Sequence, residues 1–279
     1  MNDGQPVLEI KDLTIEVQSH RGAVFAVKDV SLRIKAGQAL GIVGESGCGK
    51  SMTCLSILGL LPSAATLVKG SIRLDGRELS GLTSGQLTRV RGKIVSMIVQ
   101  NPMTAFNPAL TIGRQFFETL RLHGKFTRRE AREEAVRSLA AMNLTDPERI
   151  LELYPFELSG GMLQRVMIAL SVSTNPSLLI ADEPTTALDS RNRVQVIEVL
   201  QAIKERREQA ILIVSHDLSV IEALADDVIV MKDGRIVESG PLHKLKGNPQ
   251  HEYTKQLLNA RIWVDSKIEN RSRTKLDVV

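Results

Sequence analysis

Gly44-Glu45-Ser46-Gly47-Cys48-Gly49-Lys50-Ser51 sets two glycines around four residues and closes on Lys-Ser. Glycines let successive backbone N–H groups turn inward around a phosphate, where a bulkier chain could not approach; the lysine then reaches the β- and γ-phosphates, and the serine hydroxyl ligates Mg²⁺. The eight residues are therefore candidate nucleotide contacts. An apolar run, Ala39 to Val43, precedes the loop, and a helical pattern from Lys50 to about Leu60 follows it. That strand–loop–helix setting aims the phosphates at a helix N-terminus, where the dipole favours anions.

The 279 residues suffice for one large domain, or for one domain carrying an insertion. Lys+Arg number 36 against Asp+Glu 32, without a basic run, so the charge balance does not point to nucleic acid. Aromatic content of 3% makes stacking platforms for single strands improbable. The two cysteines, Cys48 and Cys54, can build neither a disulfide framework nor a thiolate metal site of ordinary spacing, which suits a reducing compartment. No stretch approaches the roughly eighteen apolar residues needed to cross a bilayer, and the N-terminus lacks a basic segment followed by an apolar one. The expectation is a protein neither secreted nor integral.

Working outward from the loop, Val7 to Val17 and Val24 to Ile34 alternate apolar with polar residues, as half-buried antiparallel strands do. Ser71 to Leu74, Ile94 to Val99, Ser177 to Ala181 and Ala210 to Val214 are short apolar runs. The last three read as buried parallel strands. Thr111 to His123 and Thr127 to Met142 are helical; Thr127 with Glu130 forms a capping box, and Ala131, Ala135, Val136, Leu139 and Met142 fall on one stripe. Arg191 to Arg207 is a further amphipathic helix, and Asp227 to Ser239 a hairpin turning at Asp233-Gly234. The expected organisation is a single domain over 1–260, with 1–100 and 159–245 forming an α/β core with an antiparallel β-subdomain, and 101–158 an inserted helical subdomain. A polar tail over 261–279 is expected to be poorly ordered.

A phosphate loop serves several enzyme classes, so its neighbours decide. Leu178 to Glu183 is an apolar strand ending in two carboxylates, the Walker B arrangement: Asp182 is placed to hold Mg²⁺ through water, and Glu183 to polarise the attacking water. Upstream, Leu158-Ser159-Gly160-Gly161-Met162 opens a helix whose hydroxyl, backbone N–H groups and dipole suit a γ-phosphate.

That five-residue segment, standing shortly before Walker B, resembles the signature motif of the ATP-binding cassette family, and the resemblance extends from about Val7 to Ala260. It implies the family's P-loop NTPase fold: a RecA-like core, an N-terminal antiparallel β-subdomain and an inserted α-helical subdomain. Gln100 then matches the Q-loop glutamine, which contacts Mg²⁺ and the attacking water. Ala187-Leu188-Asp189 matches the D-loop, and His216 the switch histidine that contacts the γ-phosphate. The implied catalytic set is Glu183, His216 and Gln100, with Ser51, Gln100 and, through water, Asp182 at the metal. Met162 stands where many members have glutamine; because Ser159 and the backbones of Gly160 and Gly161 make the main γ-phosphate contacts, hydrolysis should survive. Phe25 is assigned as the adenine-stacking aromatic, although gapless spacing puts Val17 there instead.

The resemblance implies ATP and Mg²⁺ as cofactors, and two cassettes paired head to tail, each ATP lying between the loop of one and the signature of the other. Ile98 to Pro108, Tyr154 to Leu170 and Asn248 to Thr254 resemble the peptide and nickel importer branch, and the Met-Leu-Gln-Arg continuation of the signature looks most like its D-type nickel import ATPases. The implied partners are two membrane permeases, a second and non-identical F- or E-type cassette, and indirectly an external substrate-binding protein, with no nucleic acid. The implied location is the cytoplasmic face of a bacterial inner membrane. Nickel or a nickel–chelator complex leads as cargo, with di- or oligopeptides as the alternative. Met103, Phe106 and Leu110 are either a groove for a permease helix or core residues. The thiol of Cys48 is expected to be exposed when nucleotide is absent. Of five histidines only His216 carries a role. A soluble cassette of DNA repair would bring tandem cassettes or long coiled coils; a kinase or GTPase would leave the signature segment unexplained.

Overall fold

Alternating burial builds the first layer. In the computed structural model, which describes residues 5–19, 22–186 and 188–259, β1 (Leu8–Ser19) pairs antiparallel with β2 (Gly22–Ile34), and both turn apolar residues such as Leu8, Ile15, Val27 and Ile34 inward. The chain then passes through β3 (Ala39–Val43) and α1 (Lys50–Leu58) and returns to the same layer as β4 (Ala65–Leu74) and the short β5 (Arg77–Glu78), giving the order β2-β1-β4-β5. The sequence shows only Ser71 to Leu74 as strand. The strand extends back to Ala65 across Gly70, which has φ +114° and lies where the β1/β4 register shifts. A Cβ there would stand 2.7 Å from the Leu13 Cα, so the glycine marks a bulge and not a strand end.

The second layer is the sheet around β3. After α2 (Ser84–Leu87) comes β6 (Val95–Ile98), then the helical block α3 (Ile112–His123), α4 (Arg128–Ala140) and α5 (Pro147–Glu152). The chain continues as α6 (Gly160–Val172), β7 (Leu178–Asp182), α7 (Ser190–Glu205), β8 (Ala210–Val214), α8 (Leu218–Leu224), β9 (Asp227–Lys232), β10 (Arg235–Pro241) and α9 (Leu242–Gly247), with a further helical stretch at 252–259. The strand order is β10-β9-β3-β8-β7-β6, parallel except for β10. Asp233 and Gly234 both have positive φ, the geometry of a tight two-residue hairpin turn.

Period-2 alternation divides the core. Leu40, Ile42, Leu178, Ile180, Leu212 and Val214 face the antiparallel layer, while Val43, Leu179, Ala181, Ile211 and Ile213 face the helices. The helical block buries Phe116, Leu120, Ala131, Ala135, Leu139 and Met142 against α6, with Val136 only partly covered. The Thr127–Glu130 capping box forms as its spacing predicts. Phe106 is a core residue, 5% exposed, which removes it as a groove for a partner helix; Met103 remains exposed and Leu110 half-buried. Among the described residues no helix is long and apolar enough to cross a membrane. The polar tail lies outside the described residues.

Candidate functional site

Parallel strands deliver side chains at their C-terminal ends, and four neighbours do so together here. β3 ends at Val43, β7 at Asp182, β8 at Val214 and β6 at Ile98; the phosphate loop, Glu183, His216 and Gln100 follow directly. They enclose a cavity of about 410 Å³ whose walls include Ser46, Lys50, Ser51, Gln100, Glu183 and His216.

The loop's glycines have a packing role beside the phosphate role expected of them. A Cβ on Gly44 would lie 2.2 Å from the Met231 carbonyl oxygen, and one on Gly49 2.4 Å from that of Ala26. No side chain fits at either, and both have positive φ. Lys50, which is buried, curls over the loop and donates to the carbonyls of Gly44 at 2.8 Å and Glu45 at 2.9 Å. Its charge therefore stands at the centre of the cradle. The Ser51 hydroxyl donates to Asp182 Oδ1 at 3.1 Å, joining the loop to β7. Burial pushes the Asp182 carboxyl above its ordinary value; the Ser51 hydrogen bond and the Lys50 charge pull against this, and Glu183 adds to it.

Glu183 occupies a left-handed conformation, φ +51°. Apart from Arg207, which follows the end of α7, the other described non-glycine residues with positive φ are Asp or Asn, which tolerate it. For a glutamate it costs on the order of 1–2 kcal/mol, and the bend lets its N–H donate to the Val214 carbonyl at 2.9 Å while the carboxylate turns into the cavity. There it accepts from the Thr186 hydroxyl at 3.0 Å and lies 2.8 Å from His216 Nδ1.

The signature segment stands elsewhere. Ser159 caps α6, its hydroxyl accepting the Met162 N–H at 3.3 Å, and Ser159 and Gly160 are exposed. None of Ser159, Gly160, Gly161 and Met162 lines the loop cavity. Gly161 lies under Asn192: a Cβ there would fall 2.0 Å from the Asn192 Oδ1. Asn192 in turn donates through its backbone and side-chain N–H groups to Asp189, the cap of α7. The signature and Asp189 are thereby in register with one another.

Two expectations fare differently. Cys48 is 6% exposed, and burial raises its thiol despite the nearby Lys50, so the thiol is free but buried where an exposed one was anticipated. Phe25 is 45% exposed beside Ala26, which lines the cavity, while Val17 is half-buried opposite Val24. Sequence reasoning missed Thr186, Asn192 and Tyr253 as parts of the site. Tyr253 accepts the Glu45 N–H from 208 residues away, a contact that no local pattern signals.

With this geometry in hand, comparison with known proteins is decisive: the ABC transporter family model matches residues 27–186. This chain belongs to the ABC transporter ATPase family. It is 44% identical over 255 residues, 91% of its length and 76% of the relative's, to the probable peptide ABC transporter ATP-binding protein y4tR of Sinorhizobium fredii. It is 44% identical over 235 residues, 84% of its length and 86% of the relative's, to the metal-staphylopine import system ATP-binding protein CntD of Staphylococcus aureus. The oligopeptide transport ATP-binding protein AppD of Bacillus subtilis matches at 42% over 96% of this chain and 82% of its own. Among solved structures, the ATP-binding cassette MJ0796, dimeric and bound to ADP and Pi, superposes with a TM-score of 0.75 at 28% identity, covering 84% of this chain and 98% of that one. The ABC cassette fold and an ATP-binding, ATP-hydrolysing activity follow from that membership.

Proposed function

We propose that this ABC ATPase is one of two cassettes powering a membrane importer, and that Glu183 activates the water that attacks ATP. The observation carrying this reading is the convergence of Lys50, Ser51, Gln100, Glu183 and His216 on one cavity, with Asp182 hydrogen-bonded to Ser51 and the signature outside the cavity lining. The loop covers one side of a triphosphate, so a second cassette must present its own helix N-terminus to the other. The dimeric, ADP- and Pi-bound state of the solved relative supports that arrangement.

In this mechanism Lys50 leaves the Gly44 and Glu45 carbonyls for the β- and γ-phosphates, exchanging two neutral acceptors for charged ones. Ser51 Oγ, Gln100 and, through water, Asp182 offer oxygen ligands of the kind Mg²⁺ takes beside substrate phosphates. Mg²⁺ there would neutralise charge developing on the phosphates. Glu183, fixed by Val214, Thr186 and His216, accepts the proton of the attacking water, and His216 then turns its imidazole to the γ-phosphate. Phe25 stacks on the adenine. Asp189 and Asn192 hold the signature for the neighbouring cassette's ATP.

The chain's partners in this reading are two permeases, a non-identical second cassette and an external binding protein, at the cytoplasmic face of the membrane. Residues 101–158 form the subdomain facing the permeases. For cargo, peptides are supported by the names of y4tR and AppD, and a metal–staphylopine complex by that of CntD, while nickel as the metal rests on the sequence resemblance alone. Reconstitution of the complex in vesicles decides between them: a binding protein loaded with peptide, or with metal chelate, should stimulate ATP hydrolysis, and the load that does not stimulate is not the cargo. Hydrolysis indifferent to permeases and to any loaded binding protein would contradict the importer reading.

A further inference from the structure

The C-terminal helical stretch at 252–259 lies outside the residues matched by the family model, yet it touches the phosphate loop. Tyr253 is 3% exposed, and its hydroxyl accepts the Glu45 backbone N–H at 2.9 Å. On the opposite side of the same residue, the Glu45 carbonyl accepts from Lys50 Nζ at 2.9 Å. The loop is thus gripped at Glu45 from within by Lys50 and from without by Tyr253.

We propose that Tyr253 is a positioning residue for ATP, pinning the loop in its open cradle while Lys50 transfers to the phosphates. When Lys50 leaves the Glu45 carbonyl, the Tyr253 hydroxyl is the contact that keeps this part of the loop from relaxing. The ring is built to hold that place. Lys232 Nζ stands 4.8 Å from its centroid, and the Tyr253 N–H donates to His251 Nδ1 at 3.1 Å. The segment ahead of it is tied to β10 by Glu238, which accepts the N–H groups of Gln250 at 2.8 Å and His251 at 3.0 Å. Burial also pushes the phenol upward, so the hydroxyl stays neutral at physiological pH. Displacement of this segment by anything bound downstream of it would reach the nucleotide through one hydrogen bond.

The inference rests on reading Gly44 to Ser51 as the ATP cradle, and the test separates the two. Magnesium-free ATP is titrated calorimetrically into the full chain, into Tyr253→Phe, and into Leu257→Ala, which loosens the partly buried packing of the same segment without touching the hydroxyl. Melting temperatures are recorded without nucleotide. Loss of one neutral hydrogen bond predicts an ATP Kd about three- to tenfold higher for Tyr253→Phe. Leu257→Ala should keep a Kd nearer to that of the parent chain for an equal or larger loss of melting temperature. A Tyr253→Phe chain that binds ATP as tightly as the parent, or two variants whose affinity losses simply track their lost melting temperatures, would overturn the proposal. Failure of the unmutated chain to bind ATP would instead overturn the cradle reading beneath it.

Discussion

Glu183 holds His216 at two points, accepting its backbone N–H at 3.0 Å and lying 2.8 Å from its Nδ1. The carboxylate also accepts from Thr186 Oγ1, so it enters the cavity with its direction fixed by three donors. If Glu183 is the base, as proposed, a carboxylate so aimed does not have to be ordered at the moment of reaction. His216→Ala removes the imidazole while leaving the backbone donor. The expected outcome is ATP affinity within about threefold of the parent and hydrolysis by the assembled complex lower by about tenfold or more. Radiolabelled phosphate release beside equilibrium binding checks it; unchanged turnover would detach His216 from the chemistry.

Gly161 and Asn192 couple the signature to the α7 cap. A methyl at Gly161 would stand 2.0 Å from Asn192 Oδ1 and 2.7 Å from its Cβ, forcing the whole side chain aside and with it the Asp189 hydrogen bonds. Gly161→Ala is expected to leave ATP binding by the isolated chain intact while weakening ATP-dependent association of cassettes. Analytical ultracentrifugation with ATP and a non-hydrolysing background reads this; equal association would show that the signature tolerates the shift.

The sequence showed which residues converge better than it showed what supports them. Lys50, Ser51, Asp182, Glu183, Gln100 and His216 were legible because each closes or follows a short apolar strand, and the strand ends meet in space once the sheet is parallel. β4 was half legible, since Gly70 reads locally as a terminator, and only the tertiary register with Leu13 shows that it is a bulge. Phe106 stayed open between a partner groove and the core because a lone aromatic between turns has no periodicity to show which way it faces. The left-handed turn at Glu183, the stacking of Asn192 on Gly161 and the reach of Tyr253 to Glu45 are long-range facts without any local pattern. The Cys48 thiol was misjudged for the same reason: the motif gives its place in the loop but not its burial against Gly44 and Lys50, 2.7 Å from where a Gly44 Cβ would be.

Burial raises the Asp182 carboxyl above its ordinary 3.8, so the folded chain binds that proton more tightly than the unfolded chain does. Its contribution to stability is therefore present below pH 3.8 and lost as pH rises through the raised value. At neutral pH the buried charge is a burden. Asp182→Asn is expected to melt higher than the parent near pH 7 without nucleotide, to lose that advantage on acidification, and to lose Mg²⁺-dependent hydrolysis. Calorimetric melting across pH tests the sign, and a lower melting temperature at pH 7 contradicts it.

Both cysteines are buried, Cys48 at 6% and Cys54 at 0% exposed, and burial raises both thiols. Thiolate is the reactive form, so neutral alkylating reagents are expected to label neither at an appreciable rate in the folded chain and both in denaturant. Intact-mass spectrometry counts the adducts. Rapid labelling of Cys48 in the folded chain, suppressed by ATP, would mean that the loop opens far more than this geometry allows.

Glu183→Gln in the assembled complex bears hardest on the proposed chemistry. The amide keeps the shape and can still accept the His216 N–H, but it cannot take a proton from water. ATP binding is expected to persist within about threefold of the parent, while single-turnover hydrolysis falls by about a hundredfold or more, the usual worth of a positioned base. Hydrolysis at the parent rate by the Glu183→Gln complex would remove Glu183 from the reaction and leave the convergence of strand ends without its catalytic reading.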